Sequence, residues 1–302
     1  MLGTLQNIRF FVAAYEERSF TGAATREHAT QPGVSHHVKH LEDMLGAQLF
    51  IRDKGKLLPT PAGDTYYHYC IKVMLAYDES INAMREYSDT AAESLTIGVI
   101  PALTRNLTGP VLSKFMSEWP NVAIRVVEAY TPAIVDGIMS GEFDIGFTSK
   151  FNPRDGLHAH HLFDSTEYLV SAKQSNQITG DGDIELKNVV PIKLIRPLVN
   201  NAHRDVIDSY FREHDIQLAG AVEIDSILAT LDLVSNSDWF AILPSLMLRK
   251  EDEKKFRLQR IVNPIIPFKI YQLNNITRAL SPAAKAFITQ LNLVATEFIH
   301  ET

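Results

Sequence analysis

Two helix starts stand eleven residues apart near the N-terminus: Ser19 before Phe20, and Thr30 before Gln31-Pro32. Both starts carry a short hydroxyl side chain suited to capping the free N–H groups of a helix's first turn. Proline inside the second start is tolerated, because its missing N–H has no partner to lose there. Ahead of them Leu5, Ile8, Phe11, Val12 and Tyr15 recur at three- and four-residue steps, the period of one apolar helix face. The second start leads into Val34, Val38, Leu41 and Leu45 at the same period, stopped by Gly46. A short helix joined by a tight turn to a longer one is a helix-turn-helix.

The next segment reads as a wing. Leu49-Phe50-Ile51-Arg52 and Leu57-Leu58-Pro59 flank the basic turn Asp53-Lys54-Gly55-Lys56, which predicts a hairpin. Thr60-Pro61 opens a further helix reaching about Tyr87. Its stripe of Tyr66, Tyr69, Cys70, Val73, Met74, Tyr77, Ile81 and Met84 has no partner nearby in sequence, so a second helix is expected to cover it. From Leu95 strands and helices alternate. Strands are predicted over 95–100, 122–128, 144–147, 168–172, 189–195, 222–225, 240–243 and 268–273, with a closing helix over 282–298. That order implies two α/β lobes with mostly parallel sheets and a cleft at the strand C-termini, where open sheets bind ligands.

Composition narrows the class. The chain has 302 residues and a formal net charge of −7, which argues against nucleic acid until charge is read by region. Residues 1–60 hold seven Lys/Arg against six Asp/Glu, plus four histidines. Where positive groups point matters more than the total. Cys70 is the sole cysteine and fits a reducing compartment. No apolar run is long enough to span a membrane, and the first residues lack a signal-peptide layout. The expectation is a soluble cytoplasmic protein with no membrane partner.

The ordered elements Phe10-Phe11-Val12, Ser19-Phe20-Thr21, Ala23-Ala24, Gln31-Pro32-Gly33-Val34-Ser35, Leu41-Glu42, Leu45-Gly46, Leu49-Phe50-Ile51-Arg52 and Thr60-Pro61-Ala62-Gly63 resemble the LysR-type bacterial transcriptional regulators. The likeness continues through Leu95-Thr96-Ile97-Gly98, Trp119-Pro120, residues 141–146 and residues 280–287. It implies an N-terminal all-α winged helix-turn-helix over 1–60 and a long linker helix over 61–88 for dimerisation. An α/β, two-lobed, periplasmic-binding-protein-like effector domain follows over 94–302, with lobe I at 94–163 and 268–302 and lobe II at 166–266. Two positions depart from the family. Glu27 stands where an apolar residue is usual, and His36-His37-Val38-Lys39-His40 where arginines are common.

In a winged helix-turn-helix the N-terminal residues of the recognition helix meet base edges in the major groove. The candidates are Thr30, Gln31, Pro32, Ser35 and His36. Gln31 can pair bidentately with adenine, and Pro32 can touch a thymine methyl. Lys39, His40, Arg52 and Lys54 are the phosphate candidates, which position without reading sequence. The resemblance further implies a small-molecule co-inducer, and no resident cofactor, in the interlobe cleft. Its places correspond to Pro101, Ala102, Thr131, Thr148, Ser149, Asn201, Ala202, His203, Arg204 and Ser226. His203 and Arg204 at a helix start favour an organic anion such as a carboxylate. The implied partners are an operator in double-stranded DNA, a second copy making a homodimer or homotetramer, and RNA polymerase.

Two other classes compete. A solute-binding protein would use the front segment only to oligomerise. An enzyme would need a reactive motif, and the sequence holds no G-x-x-x-x-G-K-[ST], G-x-G-x-x-G, G-x-S-x-G or H-E-x-x-H. His158, His160 and His161 lie close in sequence but lack a further nearby metal ligand, and no metal is expected.

Overall fold

The computed structural model describes residues 4–53, 56–85, 93–178, 180, 182–189, 191–199 and 201–301. The first unit contains α1 (Leu5–Glu17), α2 (Phe20–Arg26) and α3 (Gln31–Leu45), then β1 (Phe50–Asp53), β2 (Lys56–Pro59) and α4 (Pro61–Arg85). Ser19 accepts from the Gly22 N–H at 3.1 Å and Thr30 from the Gly33 N–H at 3.3 Å, so both predicted caps are made. Strands β1 and β2 pair antiparallel, with Phe50 opposite Pro59, as a wing.

One apolar cluster holds this unit together. Phe11, Val34, Val38 and Leu41 are essentially without solvent contact, and Tyr67, Cys70 and Ile71 of α4 join them. Two sequence expectations change. Leu45 is 42% exposed, one turn beyond the core face of α3. Cys70 belongs to the core of its own unit, not to a stripe awaiting a partner. What α4 leaves outside is Tyr69, Val73, Tyr77, Ile81 and Met84, all exposed. The expected linker end at 86–88 lies outside the described residues.

The next part of the chain contains β3 (Ser94–Val99), α5 (Pro101–Leu103), a π-helical turn over Thr104–Thr108, and α6 (Gly109–Glu118). It continues through β4 (Ala123–Glu128), α7 (Thr131–Ser140), β5 (Ile145–Thr148) and β6 (Leu157–Ser165). A single residue, Thr166, separates β6 from β7 (Glu167–Ala172) in the second lobe. That lobe goes on through β8 (Gly182–Ile184), β9 (Ile192–Arg196), α8 (Ala202–Glu213), β10 (Leu218–Glu223), α9 (Ile227–Ser235), β11 (Trp239–Pro244) and β12 (Phe256–Ile261). The chain then returns through β13 (Phe268–Asn275) and closes with α10 (Pro282–Glu301).

Lobe I is a five-stranded sheet in the order β4-β3-β5-β13-β6, and lobe II a six-stranded sheet in the order β10-β9-β11-β7-β12-β8. Each sheet begins with three parallel strands and then turns antiparallel, at β5–β13 and at β11–β7. The sheets are therefore mixed. The returning strand β13 and the crossing strand β7 bring in the antiparallel neighbours. The two crossings leave a seam between the lobes at the C-terminal ends of β3, β5 and β9. No helix among the described residues is long and apolar enough to cross a membrane.

Candidate functional site

Helix α3 buries Val34, Val38 and Leu41 and turns its other face outward. On that face Thr30, Pro32, His36, Lys39 and His40 are exposed, and Gln31 and Ser35 are half-buried. They form one continuous polar strip beginning at the helix N-terminus, as base reading requires. The Thr30 hydroxyl is already engaged as the cap, so its free groups are few. His37 is turned inward, with Nδ1 3.1 Å from Asn7 Oδ1 and its ring edge-on to Phe10 at 5.0 Å. Arg52 on β1 is exposed beside this strip, its guanidinium 6.0 Å from the Phe20 ring. Lys54 lies outside the described residues. The unusual Glu27 is accommodated by charge, because its carboxylate accepts from Arg9 at 2.7 Å.

The second site is a cavity of about 50 Å³ at the seam between the lobes. Pro101, Ala102, Thr131, Ser149, Asn201, Ala202 and His203 line it, together with Ile100, Tyr130, Pro244, Met247 and Phe268. A space that small holds a few waters, so a larger guest requires the lobes to part. Several contacts span the seam beside it, among them Arg105 and Asn106 of lobe I donating to the carbonyls of Met247 and of Leu246 and Leu248 in lobe II. Tyr130 of lobe I faces Asp225 of lobe II, and burial, then that carboxylate, pushes the phenol's pKa up. Lys150 Nζ lies 3.6 Å from Asp205.

Three of the residues expected here do not reach the cavity wall. Thr148 is fully buried behind it, its hydroxyl shared with Thr131 and with the Lys150 carbonyl at 3.0 Å. Ser226 caps α9 by accepting from the Ala229 N–H. Arg204 is turned away: its guanidinium bonds Asp208 at 2.6 Å, Glu223 at 3.0 Å and the Pro197 carbonyl at 2.8 Å. Those carboxylates satisfy it, and hydrogen bonding to Asp208 first of all raises its pKa.

His203 is the basic group left at the wall. Its Nε2 lies 2.8 Å from Glu167 Oε1, and both side chains are buried. Phe268 closes the flank of the His203 ring edge-on at 5.3 Å. Among the described residues no cluster of three or more His, Cys, Asp or Glu is placed to hold a metal, and His158 and His161 pair instead with Asn274 and Asp164.

Both parts of the chain match known families. Residues 5–64 match the bacterial regulatory helix-turn-helix proteins of the lysR family, and residues 88–295 match the LysR substrate binding domain. The chain belongs to the LysR family. LysR-family proteins are DNA-binding transcriptional regulators with an effector-binding domain rather than enzymes. This member is 24% identical to the HTH-type transcriptional regulator BenM of Acinetobacter baylyi over 247 residues, covering 80% of each protein. Its fold is similar to that of a hydrogen peroxide-bound mutant of Corynebacterium glutamicum OxyR, with a TM-score of 0.63, 21% identity and coverage of 99% and 95%. It is also similar to full-length CbnR complexed with its target DNA, with a TM-score of 0.55, 19% identity and coverage of 97% and 99%.

For this LysR-family chain the sequence missed Tyr130, Met247 and Phe268 at the cavity. Tyr130 immediately precedes the predicted Thr131-Pro132 helix start, which was a usable signal. Phe268 opens the strand that returns to lobe I and Met247 lies in the turn after β11, both far along the chain, and no local pattern marks them.

Proposed function

We propose that this chain is an effector-controlled transcriptional regulator in which 1–60 reads DNA, 61–88 pairs the subunits, and 94–302 senses a small molecule. The observation that carries the DNA-reading role is the outward polar strip of α3 from Gln31 to His40, backed by a capped and fully packed core. Gln31, Ser35 and His36 contact base edges; Lys39, His40, Arg52 and Lys54 contact phosphates. The exposed stripe on α4 supports a homodimer, and two such dimers make a tetramer. Two recognition helices then read half-sites about one helical turn, or a multiple of it, apart. The protein acts in the cytoplasm, with RNA polymerase as its further partner.

The effector is a small organic anion, of which a carboxylate is the simplest form, bound as a co-inducer without a resident cofactor. His203, Ser149, Thr131 and Asn201 supply the polar contacts around an otherwise apolar wall. Effector binding shifts the relative placement of the lobes only as far as it binds one placement better than the other. Selection from random-sequence duplexes with the full chain tests the DNA role. Recovery of one partly palindromic site supports it, and recovery of no preferred sequence overturns it. Thermal unfolding against a set of small carboxylic acids and their neutral amides tests the effector class. The expected result is stabilisation by an acid and not its amide, lost in His203→Ala; stabilisation by amides alone contradicts it.

A further inference from the structure

Among the described residues, one loop carries the polar contacts that seat the helix-turn-helix unit on lobe I. This loop, between β5 and β6, carries Arg154, Asp155 and Gly156. Arg154 donates to Glu17 at the end of α1 at 2.8 Å, and its other terminal nitrogen is 3.4 Å from Asp136 of α7. Asp155 accepts from Arg18 at 2.5 Å, and the Arg18 guanidinium lies 4.3 Å from the centre of the Tyr15 ring. Gly156 presses its backbone on Glu16: a β-carbon there would overlap the Glu16 carboxylate, and its φ of +84° already favours glycine. Glu16 is itself fixed, by Arg26 at 2.5 Å and by the Tyr67 hydroxyl at 2.7 Å. The Gly156 carbonyl accepts from the Ile276 N–H at 2.9 Å, and Ile276 packs against the helix-turn-helix core.

We infer that Arg154 and Asp155 are positioning residues that set the orientation of the DNA-reading unit on the effector domain. Two observations carry this. The contact is chiefly polar and side-specific, because beyond it a cavity of about 550 Å³ separates α1 and α4 from lobe I. A unit held at one edge and open at the other has an orientation set by the edge contacts. The same segment also begins in the effector cavity, since Ser149 lines its wall and the adjacent Lys150 faces Asp205 across the seam. Few residues therefore separate the group that meets an effector from the groups that hold the reading unit. The consequence for operator geometry rests on the DNA-reading role proposed above; the seating itself does not.

The test reads the seating without DNA. Hydrogen–deuterium exchange is followed in the full chain at the end of α1 and in the 150–157 loop, in Arg18→Asp, Asp155→Arg and the charge-swapped double variant. Each single variant is expected to speed exchange in both segments by about two- to fivefold, the scale of one partly exposed pair. The swap is expected to return both toward the wild-type rates. Arg154→Glu gives a second, independent break with the same double signature. Exchange in the core strands β3 and β7 stays unchanged if the variants fold. A single variant that loosens only its own segment, or a swap no slower than the singles, overturns the inference. Because no DNA is present, failure here leaves the DNA-reading role standing, and failure of selective DNA binding leaves this result standing.

Discussion

Gly63, in the first turn of α4, sits directly under the carbonyl oxygen of Leu49: a β-carbon at 63 would overlap that oxygen. This close approach locks the linker helix to the strand that opens the wing. The Thr60 hydroxyl reinforces it by accepting from the Gly63 N–H at 3.0 Å and donating to the Gln48 carbonyl at 2.6 Å. Gly63→Ala must push backbone against backbone, an overpacking cost of about 1–3 kcal/mol. Its thermal unfolding midpoint is expected several degrees below wild type. An unchanged midpoint contradicts the close approach.

The buried thiol and its neighbour make the N-terminal unit sensitive to alkali. Burial pushes Cys70 up to about 12 from an ordinary 9.0, and burial pushes Tyr66 up to about 12 from 10.0. Both groups hold their protons more tightly in the fold than in the unfolded chain. The stability they lend is therefore complete below pH 9 and is lost as pH rises toward 12. Denaturant midpoints followed from about pH 8 to about 11.5 are expected to fall across that window, and to fall less steeply in Cys70→Ala, where the Tyr66 contribution remains. Cys70 is also expected to resist iodoacetamide at about pH 8 until the chain is unfolded.

The exposed stripe on α4 gives a direct test of subunit pairing. Val73 and Tyr77 are 46% and 49% exposed on adjacent turns. Full burial of an apolar side chain of this size contributes about 1.5–3 kcal/mol; about half of that remains to be gained here, and a twofold interface counts it twice. Val73→Asp is expected to weaken self-association at least about tenfold, read by sedimentation velocity, with unchanged helicity. A variant that sediments as wild type moves the interface elsewhere.

Much of this architecture is legible in the sequence because it is local. Ser19, Thr30, Gly46 and Thr60-Pro61 mark helix ends by their own capping chemistry, and the structure makes those caps. What the sequence hides is non-local. Leu45 shares the period of Val38 and Leu41, but α3 has outrun the body it packs on by that turn. Cys70 shares the α4 stripe, yet α1 and the wing cover its face. Arg204 stands at a helix start suited to an anion, but Asp208 one turn further along α8 already claims it, and the tertiary fold adds Glu223 from β10. The strand β12 escaped notice because its alternation Phe256-Arg257-Leu258-Gln259-Arg260-Ile261 is diluted by arginines whose partners lie elsewhere in lobe II.

The two kinds of contact assigned to α3 separate by salt. Gln31→Ala is expected to cost about 1–3 kcal/mol on the preferred site and to relax preference at one base position. Lys39→Ala is expected to weaken all duplexes alike and to lower the slope of log affinity against log salt by about one. Equal losses on preferred and scrambled duplexes for both variants contradict the division.

The most direct test of the regulator account is fluorescence anisotropy of the full chain on duplex DNA from upstream of its own gene, against a scrambled duplex, across several salt concentrations. The account predicts tight binding to the first, weaker binding to the second, and a steep fall in affinity with salt. Absence of binding to either duplex even at low salt would contradict it, and would leave the interlobe cavity as the chain's main functional feature.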